Sequence, residues 1–193
     1  ATIPLLIYHT EVTNDARRFF ISSQPISFLM RPIGKYTTNR DLAIDGIDFC
    51  RYFNKQNGKQ LKVLSALRMN ATFPFILPNS VLPTDPTTFV LDGGALDNTG
   101  AETTFRVLQI FKDWINNFTS GVVIIQVYDG AKSEENKEME KHSWFSKLLN
   151  PLGTVFGNTF AVQDFIVDQK LGYMNEELNG KVQVISFEYI PEK

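Results

Sequence analysis

The eight residues from Gly121 to Tyr128, GVVIIQVY, constrain the fold more than any other stretch of this chain. Near-continuous apolar content over the length of a strand marks burial on both faces, and such strands belong in parallel sheets covered by helices. The preceding residues extend the pattern. Thr88 to Leu91 reads as a short β-branched strand that stops at Asp92-Gly93-Gly94, and Thr99-Gly100-Ala101-Glu102 has the spacing of a capping box. The helix that follows carries its polar residues at Arg106, Gln109, Lys112, Asp113, Asn116 and Asn117 and is otherwise apolar. Strand, helix, strand in that order predicts a crossover unit, and the expected class is α/β with a mostly parallel sheet covered by helices.

The flanking segments fit the same class. Pro4 to Glu11 and Arg17 to Ser23 read as two strands joined by a turn at Thr13-Asn14-Asp15. From Asn39 to Asn54, Leu42, Ala43, Ile47, Cys50 and Phe53 recur at helical spacing with Asn39 placed as a cap, and Leu61, Leu64 and Leu67 continue the period after Asn57-Gly58. That second helix should end near Thr72, because Pro74 disfavours helical geometry just before it. Lys132 to His142 is a dense mixture of charges, expected to be solvated. Leu152, Val155, Phe156, Phe160, Ile166, Val167 and Leu171 suggest a long, interrupted helical region, and Val182 to Tyr189 alternates as a half-buried strand.

Composition narrows the chemistry. A chain of 193 residues, 43% hydrophobic and 21% charged, has the material for one folded domain of ordinary size. Nineteen Lys and Arg against 21 Asp and Glu give a formal charge of −2, so no global positive field is present to gather phosphate backbones, and nucleic acid is not an expected partner. A single cysteine, Cys50, rules out an internal disulfide; with only His9 and His142 besides, imidazole or thiolate metal chemistry is poorly supplied. Cys50 reads as a small buried hydrophobe. No run approaches the roughly 20 apolar residues that span a bilayer, and no signal-peptide pattern opens the sequence. A start at Ala1, entering a strand pattern at once, suggests a piece of a longer gene product.

The common phosphate and zinc motifs G-x-x-x-x-G-K-[ST], G-x-G-x-x-G and H-E-x-x-H are absent. None of the ten serines has glycine at both flanking positions of G-x-S-x-G, so no complete nucleophile elbow is present. An aspartyl-phosphate mechanism at Asp92 meets Gly94 where a second acid would be needed. What remains is Asp92 at the carboxyl end of an apolar strand, where ligands gather in open α/β sheets. Asp-Gly-Gly is equally a turn, since aspartate and glycine are common turn residues. Local spacing alone favours the turn.

Three segments shift the balance: the N-terminal hairpin LLIYHTEVTNDARRFFIS, the run SALRMNATFPFILP from Ser65 to Pro78, and VLDGGALDNTG from Val90 to Gly100. In that order they resemble the patatin-like phospholipase family over roughly residues 1–128. The resemblance implies a lipid acyl hydrolase with a serine-aspartate dyad. Asp92 would be the catalytic aspartate, Gly93 and Gly94 would shape its turn, and Asn98 would hold that turn against the next helix. Gly100 stands where many relatives carry proline. The family's glycine-rich oxyanion loop and nucleophile-bearing serine have no counterpart here, so the chain resembles the C-terminal portion of such a domain, and the missing part or a second chain would complete the sheet. No cofactor or metal is implied, and the expected partner is a lipid or acyl ester.

The alternative function is a non-catalytic module binding lipid or protein on the same scaffold, and the discriminating feature is whether G-x-S-x-G is encoded upstream of Ala1. Asn70-Ala71-Thr72 and Asn117-Phe118-Thr119 match the glycosylation sequon but read as chance matches. His9, inside an apolar strand, reads as a hydrogen-bonded structural histidine. Trp144 to Phe160 offers large apolar side chains beside the charged run; these fit core packing, or a peripheral contact with a membrane surface.

Overall fold

The computed structural model describes residues 4–30, 45–72, 78–128, 162–163 and 165–188. The chain is mixed α/β and divides into two compact units, Ala1–Asp97 and Asn98–Lys193.

The first unit is built on a five-stranded sheet. Its strands are β1 (Ile7–Val12), β2 (Arg18–Ser22), β3 (Gly46–Asp48), β4 (Ser80–Leu82) and β5 (Thr88–Asp92), in spatial order β3-β2-β1-β5-β4. The predicted N-terminal hairpin is present: β1 and β2 pair antiparallel, with Tyr8 opposite Ile21 and Thr10 opposite Phe19. β5 lies antiparallel against the other edge of β1 and also pairs antiparallel with β4, while β3 runs parallel to β2. Three of these four pairings are therefore antiparallel, and the mostly parallel sheet expected from the sequence is corrected in this unit. The physical reason is connection length: tight turns join β1 to β2 and β4 to β5, and a tight turn can only reverse the chain.

One face of this sheet presents Val12, Phe19, Ile21, Leu82 and Val90 to Phe49, Phe53, Ala66 and Met69 from helices α1 (Phe49–Tyr52) and α2 (Val63–Asn70). The Asn39 to Asn54 helix shrinks accordingly. Residues 39–44 lie outside the described set, Ile47 belongs to β3, and only one helical turn follows. Asp48 rather than Asn39 caps it, its Oδ1 accepting the Arg51 N–H at 3.2 Å while Oδ2 accepts Ile26 N–H at 2.9 Å and the Ser27 hydroxyl at 2.6 Å. Buried Cys50 donates its thiol to the Ser22 carbonyl, and burial raises its pKa, keeping it an inert thiol. The opposite face is closed by Phe20 and a 3-10 turn at Ser27–Met30.

The second unit contains α4 (Ala101–Ile110), α5 (Lys112–Phe118), β6 (Val122–Tyr128), a helix α6 over 165–177 and β7 (Val182–Glu188). A further short helix, α3 (Gly94–Asp97), closes the first unit. The crossover expected between Thr88 and Tyr128 does not form: β5 belongs to the five-stranded sheet, and β6 pairs in parallel with β7 instead, Ile125 opposite Ile185 and Val127 opposite Phe187. Leu108, Ile115, Met174 and Leu178 pack on Val122, Ile124 and Val182, which share one face of this pair. The other face, with Val123, Ile125 and Val127, is 56 to 78% exposed, so β6 is not covered on both faces as its composition predicted. The Thr99 capping box is absent as well. Gly100 is the N-cap in a left-handed conformation, and Glu102 pairs with Arg106 and Lys170. No helix among the described residues is long and apolar enough to cross a membrane.

Candidate functional site

Asp92 is the last residue of β5, half-buried and directly opposite Thr10 of β1. The strand reaches this point under tight control. Thr13 N–H donates to the Phe89 carbonyl at 3.0 Å, and the buried Thr10 hydroxyl donates to the Leu91 carbonyl. Just past the end of α2, the Thr72 carbonyl accepts the Asp92 N–H at 2.9 Å and the Asn70 carbonyl accepts the Gly93 N–H at 3.4 Å. The Asn70 side chain reaches the other way, its Oδ1 accepting the His9 N–H at 3.2 Å. Thr72 is fully buried, with its hydroxyl on the Arg68 carbonyl and in contact with Ser80. A sequon whose asparagine and threonine are committed in this way is a structural bracket, which accounts for the chance match.

The Asp92 carboxylate closes an Asx turn: Oδ1 accepts the Gly94 N–H at 2.7 Å. Oδ2 has no hydrogen-bond partner among the described residues. Gly93 is required by close approach, because a Cβ there would lie 2.1 Å from the His9 carbonyl oxygen. The glycine thus admits the neighbouring strand. Asp97, buried at the end of α3, has its N–H on the Gly93 carbonyl at 3.0 Å and completes the loop. Asn98 opens the second unit, is exposed, and donates its N–H to Gln163 Oε1 at 3.0 Å.

His9 is a buried, hydrogen-bonded histidine, in line with the structural role read from the sequence. It is 9% exposed, stacks on Phe20 with ring centroids 6.1 Å apart, and its Nε2 has no hydrogen-bond partner among the described residues. Burial lowers its pKa against the pull of Asp97, with Arg18 adding to the lowering and Gly93 and Asp92 opposing it, so the ring is neutral at pH 7. The sequence did not single out Asn70, Thr72 and Asp97 as site residues. Asp97 was visible within DGGALD as a fifth residue after Asp92, but nothing in the spacing says that an acid there is buried.

A groove of about 910 Å³ opens in the same unit, between α1, α2 and β4, and is lined by Phe49, Phe53, Leu61, Leu64, Met69 and Leu82 among others. Arg68 stands on its wall, its guanidinium bonded to the Thr72 hydroxyl at 2.7 Å and the Pro78 carbonyl at 2.9 Å. Among the described residues no group of histidine, cysteine and acidic side chains is arranged to hold a metal. His142 and Trp144 to Phe160 lie outside the described residues. Comparison with protein-family models, curated proteins and solved structures finds no match to this chain.

Proposed function

We propose that this chain is the aspartate-bearing portion of a patatin-like lipid acyl hydrolase, with Asp92 as the general base of a serine-aspartate dyad. The observation that carries this reading is convergence at one carboxylate. The three segments that resemble the family are far apart in sequence, yet Thr10 of the hairpin, Asn70 and Thr72 of the second run, and Asp92 to Gly94 of the third are bonded or paired to one another. Chance likeness in three separate stretches has no reason to converge on the candidate base.

The chemistry asked of Asp92 matches its bonding. One oxygen is fixed by the turn, and the other is left to accept a proton. In the complete protein a serine supplied by G-x-S-x-G would attack the acyl carbonyl as its hydroxyl proton passes to Asp92, and glycine amides would stabilise the oxyanion. The proton would then go to the departing alcohol, and water would release the acyl group by the same route. Support for an acyl substrate comes from the groove, whose volume and apolar lining suit a small-molecule site, and which shares α2 with the bracket under Asp92.

The test is Asp92→Asn in the full-length gene product. The amide keeps the shape and loses the base, so hydrolysis of a nitrophenyl ester and of a phospholipid should both vanish with the melting temperature unchanged. An unchanged rate would return Asp92 to a turn residue and favour the binding-module alternative.

A further inference from the structure

We propose that His9 is a positioning residue for Asp92: its carbonyl and ring form the bed against which Gly93 lies, and so fix where the Asp92 carboxylate stands. This rests on the hydrolase reading for its catalytic consequence, but the geometry stands by itself. Successive residues of a strand face opposite sides of the sheet. Thr10 pairs with Asp92 and Phe19, whereas His9 pairs with Phe20, so the imidazole and the Asp92 side chain lie on opposite faces. His9 therefore cannot share a substrate with Asp92, and its packing contact with the turn runs through the intervening backbone.

That backbone is Gly93. A point one Cβ out from it lies 2.1 Å from the His9 carbonyl oxygen, 3.0 Å from the carbonyl carbon and 3.2 Å from the ring atom Cε1. Main chain and side chain of one residue thus confine the glycine together. The ring is itself held, stacked on the fully buried Phe20. Its Nε2 has no partner among the described residues, and the ring's one polar contact with the turn is to the Gly93 backbone. On the far side, the Asn70 carbonyl and Asp97 N–H hold Gly93. Loss of the ring opens space on one side only, letting the turn tilt and carry the Asp92 oxygens with it. Displacement of a catalytic group by about an ångström can cost about a hundredfold in rate.

The experiment uses four variants of the full-length gene product, with amide hydrogen exchange and ester hydrolysis as readouts. His9→Ala and the milder truncation His9→Asn remove the ring; His9→Gln nearly restores its volume; Asp92→Asn tests the hydrolase reading. In the truncations the Gly94 amide, whose acceptor is Asp92 Oδ1, should exchange at least about tenfold faster while that of Phe53 is unchanged. The same variants should lose about tenfold or more in kcat with KM within about twofold, and His9→Gln should recover most of both. If Gly94 exchange in whichever truncation folds stays within about twofold of the wild type, the proposal is overturned, because the turn does not lean on the ring. If Asp92→Asn is inactive and a truncation loosens the turn yet keeps full kcat, positioning for catalysis is overturned. If Asp92→Asn keeps the wild-type rate, the hydrolase reading falls, and the exchange measurement alone decides whether His9 sets the turn.

Discussion

Replacing Gly93 by alanine tests the close packing of β1 on the Asp92 turn with the smallest possible addition. The new methyl carbon would start 2.1 Å from the His9 carbonyl oxygen and must gain about 1.3 Å to reach ordinary contact at 3.4 Å. The obstacle is main chain, so no side-chain rotation relieves it. β1 is held on one side by β2 and on the other by β5, where Thr10 and Thr13 add bonds to Leu91 and Phe89. Overpacking typically costs about 1–3 kcal/mol, and an immovable neighbour places this case near 3. Alanine returns about 0.4–1 kcal/mol by restricting the unfolded chain, leaving a loss of about 2 kcal/mol. For a cooperative unit of about 100 residues this lowers the melting temperature by about 8–16 °C. Thermal unfolding followed by far-UV circular dichroism would measure it. A melting temperature within about 2 °C of the wild type would refute the argument, since a loss near 2 kcal/mol cannot hide in that interval.

The opposite sign is expected for Gly172→Ala, where nothing lies within 4 Å of the added carbon and the residue sits inside α6: a gain of about 0.5–1 kcal/mol in the unfolding free energy from urea titration. His9 should contribute acid lability. Its folded pKa lies below the unfolded value of 6.5, so the unfolded chain binds the proton first and stability falls as pH drops below about 6.5, down to the folded pKa. The urea midpoint of His9→Gln should therefore fall less than that of the wild type between pH 7.5 and 5; Glu11, whose pKa burial raises, works in the opposite direction and is common to both proteins. The 193-residue chain by itself should turn over no short-chain nitrophenyl ester, because none of its serines lies in a nucleophile elbow; inhibitor-controlled turnover by the pure chain would refute this. Peripheral contact through Trp144 to Phe160 should give a blue shift of tryptophan fluorescence on lipid vesicles, and its absence removes the membrane role.

Local signals in this sequence translated well where the structure is local. The β1–β2 hairpin follows from two apolar stretches around Thr13-Asn14-Asp15, and α2 ends at Asn70, two residues short of the Thr72 expected from Pro74. Partner choice between strands was not legible. β5 and β6 flank α4 and α5 in sequence, but whether they share a sheet depends on competition for edges: β5 finds β1 and β4, and β6 finds β7 about 60 residues later. Capping failed for a related reason. Thr99 and Glu102 had suitable spacing, but Gly100 in a left-handed conformation starts α4 one residue later than the box requires, and Glu102 is taken by Lys170 and Arg106. The Arg106 pair has the ordinary i,i+4 spacing of a helix, but the pair with Lys170, 68 residues away, has no short-range signature.

At the site, the sequence offers a choice between turn and catalytic residue, and the bonding of Asp92 is compatible with both. A carboxylate has two oxygens. Turn formation uses Oδ1, on the Gly94 N–H, and leaves Oδ2 without a partner among the described residues. The turn is thus what a base in this position needs: it fixes the carboxylate by one oxygen at no cost to the other. Gly93, expected to shape the turn, lies against His9, which gives that turn a rigid neighbour. Sequence spacing could name both residues because turn chemistry is local. It could not name His9, Asn70 or Thr72 as their supports, because these come from a strand more than 80 residues before and the end of a helix 20 residues before. Their roles exist only once β1 and α2 are folded against β5.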